Sequence, residues 1–376
     1  YRGRLWMRDR LNGIDVIRVW VKTSPAKNLS TRLAFYLSYM VNATVAGLAL
    51  ASGHYDVVYT TSPPLLVGGA GLALSILRRL PFVFEVRDLW PESAVELGEL
   101  NNRWAIRMAE GMERLCYRRS ARIVAVTRGI YNRLHGRGVP EKKLTWIPNG
   151  ANIELYQPRP KDREIGERLG LEGKFVVIYA GLHGLIHGMD AIIDCARMLR
   201  GRNDIVFLLV GGGVRKRDLI SLAQDYGLGN VIFLPEQPES ELARYLSCAD
   251  LGLATTKKLA LCEGTLPVKM FSYMACGLPV LLAACGEAKG VLEEARAGIV
   301  VEPENPLQLC EAILQLNENP ALRQEYGRNG RDFVVRNFSR KDLAIRLEKV
   351  LQEVTQSNRP QPAGHEGRQA KRGRVG

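Results

Sequence analysis

Short apolar runs separated by helical stretches set the pattern of this chain. YDVVYTT (55–61), PFVFEV (81–86), ARIVAV (121–126) and KLTWIP (143–148) form a first series of β-rich runs. A second series restarts at FVVIYA (175–180). It continues through IVFLLVGGG (205–213), VIFLP (231–235), ADLGLAT (249–255) and PVLLAA (279–284). Runs this apolar, alternating with helices, predict parallel sheets covered on both faces. Two separate βα series predict two Rossmann-like domains, residues 1–157 and 158–337. The hinge is expected near Tyr156–Lys161, where two prolines interrupt any element.

Ahead of the first series, DVIRVWV (15–21) reads as a strand and Arg32–Ser52 as a long apolar helix. That helix is just long enough to span a bilayer. Ser38, Asn42, Thr44 and Gly47 favour instead a core or surface-docked helix with a face for the membrane. The chain opens YRGRLW without a methionine, and a Rossmann-like half needs a βα unit before residue 15. A fragment lacking that unit is the expectation. At the other end, residues 338–354 read as an amphipathic helix capped by Ser339, and 355–376 as a disordered basic tail.

The net charge of +13 is unevenly placed. Residues 1–150 hold 22 Lys and Arg against 11 Asp and Glu, so an anionic partner is expected on the first half. No nucleic-acid motif accompanies the charge, which leaves an anionic membrane surface or a pyrophosphate-linked lipid as the partner. Seven scattered cysteines, without metal-ligand spacing, point to reduced thiols and a cytoplasmic setting.

Candidate chemistry gathers at four places. In EGTLPVKMFSYMACGLPVLLAA (263–284) a polar loop opens a helix, whose free N–H groups and dipole suit a phosphate. In YAGLHGLIHGMD (179–190), Gly181, Gly184 and Gly188 keep side chains away from a strand-to-helix turn. The spacing is not GxGxxG, which counts against a nicotinamide dinucleotide. Gly211 and Gly213, after IVFLLV, are expected to face a nucleotide across the cleft. Glu85, Arg87, Asp88 and Glu92 crowd the end of a buried strand, where open α/β sheets bind ligands.

These segments, in this order, resemble the retaining family 4 glycosyltransferases of the GT-B fold. SPPLLVGGAGLAL (62–74), TWIPNGAN (145–152) and CADLGLATT (248–256) extend the likeness over nearly the whole chain. EVRDLWPES with YAGxxGxxHGxD is similar to the subgroup that builds bacterial exopolysaccharide and O-antigen units on a lipid carrier. The resemblance implies a sugar transferred from a UDP-sugar, or a GDP-sugar, to a lipid-linked saccharide at the inner face of the cell membrane. It implies no metal, no cofactor and no specific nucleic acid.

Residue by residue, it makes Lys269 the cation for the leaving diphosphate, with Leu266 and Pro267 in the loop before it. His183 and His187 stand where many members carry Arg or Lys, and contact either phosphate and sugar hydroxyls or only the turn. Glu263 matches the first of the family's two glutamates approximately, and Ser272 replaces the second, a ribose acceptor. Asp88 is the candidate to contact or deprotonate the acceptor hydroxyl, with Arg87 on an acceptor carboxylate or phosphate. An Arg87–Asp88–Glu92 network that only shapes the loop is the other reading of those residues. Three rivals stand beside this function: an inert binding or scaffold subunit, a nucleotide-sugar epimerase of the same fold, and a nucleic-acid binder.

Overall fold

The structure, a computed structural model, describes residues 3–24 and 29–357. The amino-terminal part begins with β1 (Trp6–Leu11) and β2 (Ile14–Val19), then α1 (Leu29–Ala49). There follow β3 (Val58–Ser62), α2 (Leu65–Arg78), β4 (Phe82–Val86), α3 (Glu92–Glu96), α4 (Arg103–Arg119), β5 (Arg122–Ala125), α5 (Arg128–Gly136) and β6 (Leu144–Trp146). Strands β3, β4, β5 and β6 form one parallel sheet in that order. Phe82, Phe84 and Val86 pack against α2 and α4, while Val83 and Val124 pack on the opposite face. That two-sided burial is why β4 reads as an unbroken apolar run.

The strand read at 15–21 is not part of this sheet. It pairs antiparallel with β1, Trp6 opposite Val19, in a separate hairpin. Asn12 and Gly13 turn it, at φ 50° and 84°. Asn-Gly is the pair that tolerates such angles, so the segment LNGI already carried this signal. α1 lies on α2: a Cβ at Gly47 would come within 2.8 Å of Leu74. Among the described residues no helix is long and apolar enough to cross a membrane.

The second part runs α6 (Arg163–Leu169), β7 (Phe175–Ala180), α7 (Asp190–Met198), β8 (Ile205–Val210), α8 (Lys216–Asp225), β9 (Val231–Leu234), α9 (Glu239–Ser247), β10 (Leu251–Thr255) and α10 (Ala260–Glu263). It closes with α11 (Val268–Ala275), β11 (Val280–Ala283), α12 (Glu287–Ala295), β12 (Gly298–Val301), α13 (Pro306–Glu318), α14 (Pro320–Asn337) and α15 (Arg340–Ser357). Its six parallel strands run β12-β11-β10-β7-β8-β9. This is a doubly wound order whose direction reverses between β7 and β10, the switch point at which such sheets hold ligands. β12 was not legible as a strand; Gly298, at its start, pairs with Val280.

The chain passes between the two cores at residues 148–150, not at the prolines of Tyr156–Lys161. Ile147 packs in the first core, whereas Ala151 and Tyr156 are buried in the second. Prolines break elements, but here they do so on a surface already docked to the second domain. The return crossing lies alongside. The Ala151 amide donates to Phe338 O at 3.0 Å, and the Arg340 amide to Ala151 O at 2.9 Å. α15 then packs Leu343, Val350 and Val354 on Val83, Val124 and Ile147 of the first sheet. The basic tail read at 355–376 lies, from residue 358, outside the described residues.

Candidate functional site

Two groups of side chains form the site, one at the switch point of the second sheet and one at the end of β4. After β7 the chain makes a tight turn that interlocks with the turn after β8. The Gly181 amide donates to Val210 O at 2.9 Å and the His183 amide to Gly212 O at 2.7 Å. A Cβ at Gly211 would lie 1.9 Å from Gly181 O, and one at Gly213 would lie 2.4 Å from His183 O. Both glycines therefore make room for the first turn, and Gly211 also lines a small cavity beside Gly181. Gly184 packs on the His187 ring, its Cβ position 2.9 Å from Nδ1.

His183 is fully buried beneath the turn, with its ring 5.8 Å from Tyr179 and 6.4 Å from Phe233 between centroids. Neither of its nitrogens, nor Nδ1 of His187, has a hydrogen-bond partner. Burial, then the charges of Lys216, Lys269 and His187, push the His183 pKa down to about 4. Burial and then Lys269 push His187 down to about 4 as well. Both folded values lie below the ordinary 6.5, so the unfolded chain binds more protons between pH 6.5 and 4. Stability should be complete above about pH 6.5 and fall as the pH drops through that window. Melting temperatures from pH 7.5 to 4.5 check this, and a His183→Phe variant should show a shallower fall.

Lys269 sits in the first turn of α11, after Pro267 at the cap and the buried Leu266. Its Nζ stands 3.4 Å from the centroid of the Tyr179 ring and 3.0 Å from where a Gly181 Cβ would be. That nitrogen is buried and donates to no partner, and burial holds its pKa well below the usual lysine range. A ring face compensates an ammonium only in part, so a buried amine left this way is costly unless an anion completes it. Tyr273 fixes the helix that carries it. Its hydroxyl accepts from the Ala180 amide at 2.8 Å and donates to Leu253 O at 3.3 Å, tying α11 to β7 and β10. Ser272, one residue before, is half-buried.

The second group lies across the cleft. The Arg87 Nε is 3.7 Å from Glu85, and Asp88 accepts from the Ser93 hydroxyl at 2.9 Å. Burial pushes the Asp88 carboxyl above its usual range, against the Ser93 and Leu89 hydrogen bonds. Glu92 was expected to share a network with Arg87 and Asp88. Instead its carboxylate is paired with Arg133 and Arg137. Two guanidiniums on neighbouring turns of one helix outcompete the single Arg87, and this leaves Glu92 a structural ion pair on the cleft wall. Arg87, Asp88, Glu92 and Thr127 line a cleft of about 500 Å³, with Glu263 and Leu266 on the facing domain. A larger cavity of about 960 Å³ lies inside the first domain around Ile106 and Val139. No residue of the second domain lines it, whereas both domains line the smaller cleft. Among the described residues no cluster of His, Cys, Asp and Glu fits a metal. Sequence reasoning missed Tyr179, Tyr273 and Thr127; only Thr127, a Thr before a helix, carried a local signal.

A four-stranded parallel sheet and a six-stranded doubly wound one, joined by a paired crossing, are laid out as in the GT-B class of glycosyltransferases. The chain belongs to them: the glycosyl transferase 4-like domain matches residues 2–150, and the glycosyl transferases group 1 domain matches residues 161–333. The chain is 28% identical over 290 residues to D-inositol 3-phosphate glycosyltransferase 1 of Catenulispora acidiphila, covering 73% of this chain and 67% of that protein. It is 28% identical over 243 residues to WcaI of Escherichia coli K12, named for colanic acid biosynthesis, covering 61% and 59%. A GDP-mannose-dependent mannosyltransferase acting on phosphatidylinositol monomannoside, from Mycolicibacterium smegmatis, is 27% identical over 217 residues, covering 56% and 57%. The chain thus spans about two thirds or less of the length of these relatives. Among solved structures, sucrose-phosphate synthase of Thermosynechococcus elongatus superposes with a TM-score of 0.74 at 19% identity, over 94% of this chain and 86% of that one. Anabaena HepE in complex with UDP-glucose gives 0.69 at 19% identity, over 89% and 85%.

Proposed function

We propose that the protein transfers a sugar, with retention of configuration, from a nucleoside-diphosphate donor to a polyprenyl-diphosphate-linked saccharide. Its place would be bacterial cell-surface polysaccharide synthesis. The observation that carries the reading is the partnerless Nζ of Lys269 at the switch point. A diphosphate there would supply the missing counter-charge, and the same ammonium would stabilise the charge that grows on the leaving group. No metal is needed for that task. UDP is the proposed nucleotide, consistent with HepE binding UDP-glucose, and the GDP-mannose-dependent relatives keep GDP as the alternative.

The acceptor hydroxyl is assigned to Asp88, which lines the cleft at the end of β4 and whose carboxyl is pushed above its usual range by burial. Peripheral attachment to the inner membrane face accords with the basic first half and with an outward apolar row on α1. That row is Leu33, Leu37, Val41, Val45 and Leu48. The test is transfer of labelled sugar from UDP-sugars, in the presence of bacterial membrane lipid, into the butanol-extractable fraction. Label moving into that fraction supports the reading. Label released only as free sugar, or not released from any donor, contradicts it.

A further inference from the structure

At the edge of the cleft lined by Arg87, Asp88 and Glu263, the two domains touch through a residue given no donor or acceptor role. Glu287 opens α12 in the second domain. Its Oε1 accepts the amide of Arg128 at 2.8 Å, and its Oε2 accepts the amide of Gly129 at 2.7 Å. Both amides belong to the first turn of α5, in the first domain. The next one, of Ile130, is taken by the side chain of the cap Thr127 at 3.0 Å. The carboxylate thus meets N–H groups that have no partner within their own helix, at the positive end of its dipole.

The approach is close as well as polar. A Cβ at Gly129 would lie 2.9 Å from the Cα of Gly264, so glycine is what lets the backbones meet. The gripped turn is itself braced. The Arg128 guanidinium lies 4.0 Å over the Trp146 ring, just before the chain crosses between domains. Further along α5, Arg133 holds Glu92 on the cleft wall.

We propose that Glu287 is a positioning residue for transfer: a clasp that holds the acceptor wall at reacting distance from the donor wall. The crossing at Ala151 and Ser339 is two strands wide and acts as a hinge, and Glu287 fixes the angle about it. Both oxygens of the Glu287 carboxylate are taken up by the two amides. The clasp acts through α5, setting where Thr127, Arg133 and Glu92 stand opposite Glu263 and Leu266. Its role in transfer rests on the donor and acceptor reading above, whereas its role as a clasp does not.

The test uses the full chain with UDP as probe and three variants: Glu287→Gln, Glu287→Ala and Gly129→Ala. Losing charge-assisted bonds should speed hydrogen exchange at the Arg128 and Gly129 amides by about tenfold or more in Glu287→Ala, and less in Glu287→Gln. Ile130 should exchange as before, since Thr127 still caps it. Solution scattering should show a larger radius of gyration in Glu287→Ala and in Gly129→Ala, which wedges the contact while keeping the carboxylate. UDP affinity should stay within about threefold of the wild type, because no donor-site group is altered. Unchanged exchange and unchanged dimensions in Glu287→Ala overturn the proposal. Opening by Gly129→Ala alone also overturns it, since the glycine contact would then hold the domains. If UDP binds to none of the proteins, the donor reading fails, and the exchange at Arg128 and Gly129 still decides the clasp.

Discussion

Lys269→Met is expected to weaken UDP binding by about a hundredfold or more, the cost of removing one partner of a buried charge pair. The fold should not suffer. In the unliganded protein the Nζ is buried with only the face of Tyr179 beside it, so a thioether of similar length removes an uncompensated polar group. The linkage has a definite sign. Burial depresses the folded pKa below the ordinary lysine value of 10.5, so between the two values the unfolded chain binds more protons. Wild-type stability should therefore rise with pH on the alkaline side, up to about 10.5, and Lys269→Met should lack that rise. Calorimetric titration and melting curves from pH 7 to 10 read both effects. Undiminished UDP affinity in Lys269→Met would remove Lys269 from the donor site.

Gly211→Ala is expected to be the most damaging small substitution in the second domain, costing about 3 kcal/mol or more and abolishing nucleotide binding. Two causes add. The residue has φ 148°, which L side chains rarely adopt, and its Cβ would enter the space of Gly181 O at 1.9 Å. The carbonyl cannot yield, because the Gly181 amide is pinned to Val210 O and the next turn is pinned through His183 and Gly212. Gly212→Ala is the internal control. Its Cβ would meet only Glu236, at 3.9 Å, and the effect should stay within about 0.5 kcal/mol. Urea denaturation of both variants measures the contrast. Equal stability would mean that the two turns are not interlocked as described.

These contrasts show how far the sequence could be read. Parallel strands were legible because both faces of β4, β7 and β8 are buried, and the chain records this as runs such as IVFLLV. The Asn12–Gly13 turn signal was present too, but the apolar run at 15–21 looks the same in a hairpin as in a Rossmann sheet. Lys269 was found through its loop and helix, but its burial against Tyr179 depends on a strand ninety positions earlier. Gly211 and Gly213 were read for a nucleotide, and the structure adds a second demand on them, the neighbouring turn. A glycine demanded by a ligand and one demanded by a neighbouring turn look alike in sequence. Glu92 and Glu287 mark the limit. Their partners lie 41 to 159 positions away on other elements, and no local pattern names them.

A crystal structure with UDP bound tests the account most directly. The account predicts the diphosphate at the switch point, within hydrogen-bond reach of the Lys269 Nζ and beside the turn that begins at Gly181. Nucleotide seated elsewhere, in the first-domain cavity for instance, or no nucleotide at saturating concentration, would contradict it.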